Sequence, residues 1–426
     1  MKHTLSKHKL RGGSRLLYVH LPNAATSVVT LNFNSGYRFA PFELYEMAHV
    51  AEHIFFESNL KHPEALLLNR AIKANGAYAN AHTSFNTNWY DLAVASDELE
   101  STLELLSDLI CYPDFTQAAI DKEIKVIAEE LGRKQEAYQQ RAMYVQDVAS
   151  RPGVMKSWSE RIADLPKITS EAMLQFYADF YNHENSSWVI AGPHEPSLVA
   201  SWLEKTLEPF GHGRPHKLTP LKHLEYRSWL YDEVPAKQAY ISLSFEKNGY
   251  LDRTESASMT VLNTLLGTHD IADLVVELRQ AGLVYAISSF DWQGIDGSGY
   301  KFVTSCLPAK GQTIIRTIIR HLESIKAGSL TEADLVRVQR YLAGNILRNY
   351  DGSGELVNAY RSEYQAYGDV TSIDERIAAI KAVSLNDLKH IARLYFAKSL
   401  VSLSVVGKLS DAQIEAYQGA LGHISE

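Results

Sequence analysis

Two glycine-marked segments of this 426-residue chain recur at a nearly constant distance, and that offset constrains the fold more than composition does. Ala239-Tyr-Ile-Ser-Leu-Ser-Phe245 with Gly249-Tyr250 echoes Val28-Val-Thr-Leu-Asn-Phe33 with Gly36-Tyr37. Val401-Ser-Leu-Ser-Val-Val406 before Gly407 echoes Ser187-Trp-Val-Ile-Ala191 before Gly192. The paired glycines stand about 213 and 215 positions apart. One core of this length would be unusual, and a fixed offset over half the chain reads as duplication of a unit. The expected domains are 1–210 and 221–426. They would be joined over 211–220, next to Pro209-Phe-Gly-His-Gly-Arg-Pro215, where Gly, Pro and His gather without periodicity.

Within the first copy, strands are expected near Leu16–Leu21, Ser27–Phe33, Tyr78–His82, Trp89–Val94 and Ser187–Ala191. Helices are expected around residues 44–56, 64–73, 98–110 and 170–180, with one long helix over about 117–148. This mixture predicts an α+β chain of two duplicated domains, each a mostly antiparallel β-sheet with helices packed on one side. A net charge of −8 gives no basic excess to neutralise phosphates, so nucleic acid is not expected as a partner. No apolar run reaches the length of a membrane span, so no membrane partner is expected either. Two distant cysteines, Cys111 and Cys306, exclude a disulfide framework. The early apolar run Leu16–Leu21 ends at Pro22 and is too short for a signal-peptide core, which leads to the expectation of a cytoplasmic protein.

Chemistry concentrates in His49-Val-Ala-Glu52-His53. On a helix, His49 and His53 stand one turn apart on one face, where two imidazoles can grip one metal ion, and Glu52 reaches the edge of that face. Two neutral imidazoles and a nearby carboxylate supply two ligands and a base for a hydrolytic zinc site. The order H-x-x-E-H is the reverse of the commoner H-E-x-x-H. A catalytic zinc wants a third protein ligand, and the long predicted helix offers Glu123 and Glu130, which share a face seven residues apart. One could bind metal while the other orients a ligand histidine; Glu129 points elsewhere. Applying the repeat offset places Leu262, Leu265 and Leu266 at the positions of His49, Glu52 and His53, so the second copy keeps the helix without ligands.

The first half resembles the pitrilysin family of inverted-motif zinc peptidases, especially the short two-domain branch that includes the mitochondrial processing peptidases. The residues that carry the resemblance are Gly36-Tyr37-Arg38, His49-x-x-Glu52-His53, Phe56, Asn75-Gly76, Asn80-Ala81-x-Thr83, Tyr90, and Glu123 with Glu130. The likeness continues through Phe180-Tyr181 and Gly192 into the second half. It implies His49, His53 and Glu130 as ligands of one Zn2+ per chain, Glu52 as the general base for the attacking water, and Glu123 as a supporting carboxylate. Asn80 and Ala81 match the strand on which the family lays its peptide as an added strand, a mode that reads main chain more than side chains. Arg279 and Tyr285 resemble the family's pair of donors to the substrate carbonyl, suited to an oxyanion. Here they are six residues apart where the family pattern has seven. A helix end at Gly282 and a core tyrosine at a strand start would account for the same two residues. The resemblance implies a zinc endopeptidase acting on small or unfolded peptides, such as leader sequences, inside a dimeric chamber. The dimer would be a homodimer, or a heterodimer with a metal-free sister subunit. A non-catalytic subunit of a larger assembly is the alternative.

Overall fold

The computed structural model describes residues 3–62, 65–221, 228–267, 272–350 and 352–425. The chain forms two compact units, each discontinuous in sequence. Unit 1 comprises residues 1–132, 158–218 and 349–370, and unit 2 comprises 133–157, 219–348 and 371–426. Each half of the chain therefore lends a short segment to the unit built mainly by the other half.

Unit 1 carries strands β1 (Thr4–Lys9), β2 (Arg15–His20), β3 (Thr26–Phe33), β4 (Tyr78–Thr83), β5 (Asn88–Ala95) and β6 (Ser186–Gly192). They form one sheet in the order β1-β2-β6-β3-β5-β4. Only β2 and β6 run parallel; the other neighbours are antiparallel. Unit 2 carries β7 (Trp229–Glu233), β8 (Ala239–Lys247), β9 (Ile287–Gly294), β10 (Gly297–Cys306) and β11 (Val401–Gly407), in the order β7-β11-β8-β10-β9. Its one parallel pair is β7 and β11. Apart from β1, the second sheet repeats the first strand for strand, and the α+β duplicated architecture expected from the sequence is what the chain adopts.

Alternation along the strands decides which face is the core. In β5, Asn88, Tyr90, Leu92 and Val94 are buried while Trp89, Asp91 and Ala93 are only partly so. On the core face of unit 1 lies the motif helix Met47–Glu57, against helix Ala65–Ala74, helix Ser170–Phe180 and β4. Met47, Val50, Ala51, Ile54 and Phe55 are buried at helical spacing, and Phe55 meets Tyr90 and Tyr181 at ring centroid distances of 5.5 and 5.0 Å. In unit 2 the matching helix, Arg253–Gly267, buries Leu262, Leu265 and Leu266 in the apolar core.

The opposite face of each sheet is covered by one helix, and that helix is the lent segment. Helix Tyr138–Ser150 lies on β8 and β11, and helix Ser353–Tyr367 on β3 and β6. These faces carry Ser242, Ser402, Thr30 and Asn32, buried or nearly so, and a buried polar group requires a partner. Gln146 donates to the carbonyls of Ser242 and Ser402 and accepts from the Ser242 hydroxyl, while Gln365 donates to Asn32. The single long helix expected over 117–148 is two helices, Gln117–Glu136 and Tyr138–Ser150, broken at Ala137 with ψ 73°. The break follows the place where the chain leaves unit 1 for unit 2. The chain enters unit 2 again after Leu218. The segment ahead of that point is tied to unit 1, with Gly211 accepting from the His183 amide and Gly213 donating to Glu184.

Candidate metal centre

The motif helix presents His49, Glu52 and His53 on the face opposite its apolar stripe, with His49 buried and the other two half-buried. Each imidazole has one nitrogen held by a carboxylate and the other turned toward Glu130. His49 Nδ1 lies 2.9 Å from Glu46 Oε2, and His53 Nδ1 lies 3.2 Å from Glu123 Oε2. The two Nε2 atoms lie 3.4 and 3.7 Å from Glu130 Oε2. Glu123 and Glu130 come from one face of helix Gln117–Glu136, which Ile120, Ile127 and Leu131 seat in the core. Glu123 is buried with them, Glu130 is partly open, and Glu129 faces solvent.

The donors fit a zinc ion. His49, His53 and Glu130 each offer one ligand atom, all within 4.8 Å of one another, the one such group among the described residues. Ligands about 2.1 Å from a tetrahedral centre sit about 3.4 Å apart, a spacing that His49 and Glu130 already show. The charge fits as well. Glu46, Glu52, Glu123 and Glu130 are offset locally by Arg161 on Glu46 and Lys122 on Glu123. A divalent ion bound among these carboxylates would meet a favourable negative field.

That field acts on the imidazoles. Burial disfavours a charged His53, but hydrogen bonds that its ring donates to Glu123 and Glu130 outweigh it and push the pKa up to about 9. Burial opposes protonation of His49 too, and Glu130 with Glu46 overcomes it to raise the pKa. Burial pushes Glu46 up, yet the Arg161 guanidinium and the hydrogen bond from His49 together outweigh it and hold Glu46 below the usual carboxylate range. Groups that attract protons this strongly attract a dication for the same reason, and binding one would release protons.

Glu52 is aimed by the sheet. Thr83, the last residue of edge strand β4, donates to Glu52 Oε2 at 2.5 Å. Asn88, at the start of β5, donates to the Thr83 hydroxyl at 3.0 Å and to the Ala48 carbonyl at 2.8 Å, pinning strand end and motif helix together. Asn80 and Ala81 lie on the same strand, whose outer edge has no neighbour among the described residues. Arg279 and Tyr285 belong to unit 2. Arg279 is in the last turn of helix Asp273–Gln280, and Tyr285 is in the following loop, 97% exposed. That exposure rules out a core role for Tyr285. Sequence reading missed Glu46, Thr83's bond to Glu52, and Arg161. Glu46 could have been found three residues before His49 on one helix face; Arg161, 115 positions from Glu46, carried no local signal.

Two histidines from one helix and a glutamate from another could hold one metal ion, and a second carboxylate, Glu52, is held beside an open strand edge. The chain belongs to the insulinase family, peptidase family M16: that family's model matches residues 15–151, and the model described as the peptidase M16 inactive domain matches 167–342. It is similar to an uncharacterized zinc protease of Streptomyces coelicolor, 23% identical over 98% of this chain and 93% of the relative. It is also 22% identical to a probable mitochondrial-processing peptidase subunit beta of Arabidopsis thaliana, over 91% of this chain and 76% of that protein. The crystal structure of a protease from Helicobacter pylori superposes with a TM-score of 0.83 at 18% identity, covering 95% of this chain and 100% of the other. No described helix is long and apolar enough to cross a membrane.

Proposed function

We propose that this chain is a zinc endopeptidase of small or unfolded peptides, with His49, His53 and Glu130 as the ligands. The observation that carries the reading is the convergence of both Nε2 atoms on Glu130 Oε2, with both Nδ1 atoms held by carboxylates. A zinc ion held there would supply a Lewis acid for the scissile carbonyl and lower the pKa of water. The chain's own residues do the rest. The open edge of β4 takes the peptide as an added strand through Asn80 and Ala81. Glu52, fixed by Thr83 at the end of that strand, accepts the proton of the attacking water and returns it to the leaving amine. Arg279 and Tyr285 are donors suited to the carbonyl oxygen, and the exposure of Tyr285 leaves it accessible to a partner chain.

A second reading, a subunit that works only beside a related, metal-free sister chain, is favoured by the relative that is itself named as a subunit. Zinc content and cleavage of a mixed peptide library, measured on the lone chain and then with a co-expressed sister chain, separate the two. One zinc per chain with cleavage by the lone chain supports the homomeric peptidase. One zinc with cleavage only after mixing supports the subunit. His53→Ala should abolish zinc binding, and unchanged zinc in that variant rejects the ligand set.

A further inference from the structure

The two imidazoles of the cluster are not anchored alike. Behind His53 stands Glu123, whose counter-cation Lys122 is largely in solvent. Behind His49 stands Glu46, fully buried, and its counter-cation Arg161 is buried too, with about 5% of its side chain exposed. Removing two charges from water costs several kcal/mol per ion, so such a pair is a poor device for stability alone. This one is nevertheless built with care. Arg161, from helix Trp158–Asp164, lies over Tyr37 at 4.4 Å and Tyr45 at 5.4 Å, and those rings stack on each other at 4.9 Å. Glu46 divides its oxygens: Oε1 accepts from Arg161 Nε, and Oε2 faces His49 Nδ1.

We propose that Arg161 and Glu46 are positioning residues that fix the tautomer and direction of His49, so that its Nε2 is presented to a metal as a free donor. An ionised carboxylate only accepts hydrogen bonds, and an arginine beside it cannot give up its charge. Glu130 also faces Nε2 as an acceptor, but once a metal takes the place between them the proton of a neutral His49 sits on Nδ1, where Glu46 accepts it. The lone pair is then on Nε2, which points at Glu130. The stacked tyrosines flank the guanidinium whose Nε reaches Glu46. This inference rests on the reading of the cluster as a zinc site.

The test compares zinc affinity of the full chain, by chelator competition, in the wild type and in Glu46→Gln, Arg161→Met and Arg161→Lys. A glutamine amide can donate as well as accept, so Glu46→Gln removes the directional rule while keeping the shape. Loss of such an outer partner typically weakens metal binding about 10–100-fold, and that loss is expected for Glu46→Gln and Arg161→Met. Arg161→Lys keeps the charge without the planar stack, and partial rescue is expected. Ring-nitrogen NMR of the wild type should show His49 protonated at Nδ1 and ligated through Nε2. Zinc affinity within twofold of wild type in Glu46→Gln overturns the proposal, and if that variant does not fold, the opposite tautomer in the wild type overturns it. Absence of zinc binding by the wild type overturns the zinc reading and this inference together, whereas tight binding indifferent to Glu46 overturns this inference alone.

Discussion

The motif helix Met47–Glu57 and its counterpart Arg253–Gly267 occupy the same place in two copies of one sheet. Each is tied to its own edge strand by side-chain hydrogen bonds. In unit 1 the tie is Thr83 to Glu52; in unit 2 it is Asn263 with Asp291 and Ser289 of β9. Where the first helix carries His49, Glu52 and His53, the second carries three leucines packed into the core. The fold therefore does not need the polar cluster. A helix at this position is most simply stabilised by apolar burial, and unit 1 instead keeps two imidazoles and four carboxylates together, which costs desolvation. The proposed zinc ion would offset that cost.

Breaking the exchange between the halves should have the largest effect. Residues 1–218 expressed alone lack helix Ser353–Tyr367, whose Leu356, Val357 and Tyr360 are fully buried on unit 1. At about 1.5–3 kcal/mol for each buried apolar side chain, their loss approaches the whole stability of an ordinary domain. The fragment should be aggregated or unfolded by circular dichroism and gel filtration. A cooperatively folded, monomeric 1–218 would show that the lent helix is dispensable.

Next in size is the change that makes the two helices alike in chemistry without altering shape. Glu52→Gln should lower peptide cleavage by about 10²–10⁴-fold, the usual worth of a positioned acid–base group. Zinc content should stay at the wild-type level because Glu52 is not in the ligand set. Cleavage retained with full zinc would move the base elsewhere.

What the sequence disclosed of this difference follows from the range of the interactions. His49, His53, Glu123 and Glu130 were legible because helical periodicity alone puts each pair on one face. The repeat was legible because strand segments flanked by glycine survive divergence. Yet its two markers have different physical causes: Gly36 is needed because a Cβ would meet the Ser84 carbonyl at 2.5 Å, while Gly249 holds φ at +92° with open space around it. The exchanged helices were not legible. The break at Ala137 has no proline or glycine to mark it, and the helix beyond it turns Ala142, Gln146 and Ser150 inward, with no apolar stripe to show that it serves a different sheet. β1, Thr-Leu-Ser-Lys-His-Lys, is an edge strand with no buried residue and so no alternation to read. Arg161 was hidden because only tertiary structure brings it to Glu46.

A smaller effect tests the counterpart helix. Leu262→Ala removes a fully buried side chain from the unit 2 core and should cost about 2–5 kcal/mol of stability, with zinc content of the folded protein unchanged. Loss of zinc in a variant that remains folded would show that the two copies are energetically coupled, contrary to the separation of fold from chemistry argued above.

The smallest expected effect distinguishes the polar tie of unit 2 from that of unit 1. Burial holds Asp291 above the usual carboxylate range, although a hydrogen bond from Asn263 at 2.9 Å works against the shift. Because the folded pKa lies above the unfolded one, ionising Asp291 costs stability. The penalty is absent below the unfolded pKa and complete once the pH has passed the folded one. Asp291→Asn keeps an acceptor for Asn263 and removes the charge, so it should raise the melting temperature at pH 7 by a gain on the order of 1 kcal/mol. The gain should vanish near pH 3, where the wild-type carboxyl is already protonated. In unit 1 the carboxylate of the tie is on the helix rather than the strand, and this residue, Glu52, is proposed to work in its ionised form, so Glu52→Gln should sacrifice cleavage at every pH. A gain in stability at Asp291 that persists at low pH would mean that charge is not what this edge-strand contact costs. The distinction between a carboxylate tolerated by the fold and one required by chemistry would then have to rest on Glu52 alone.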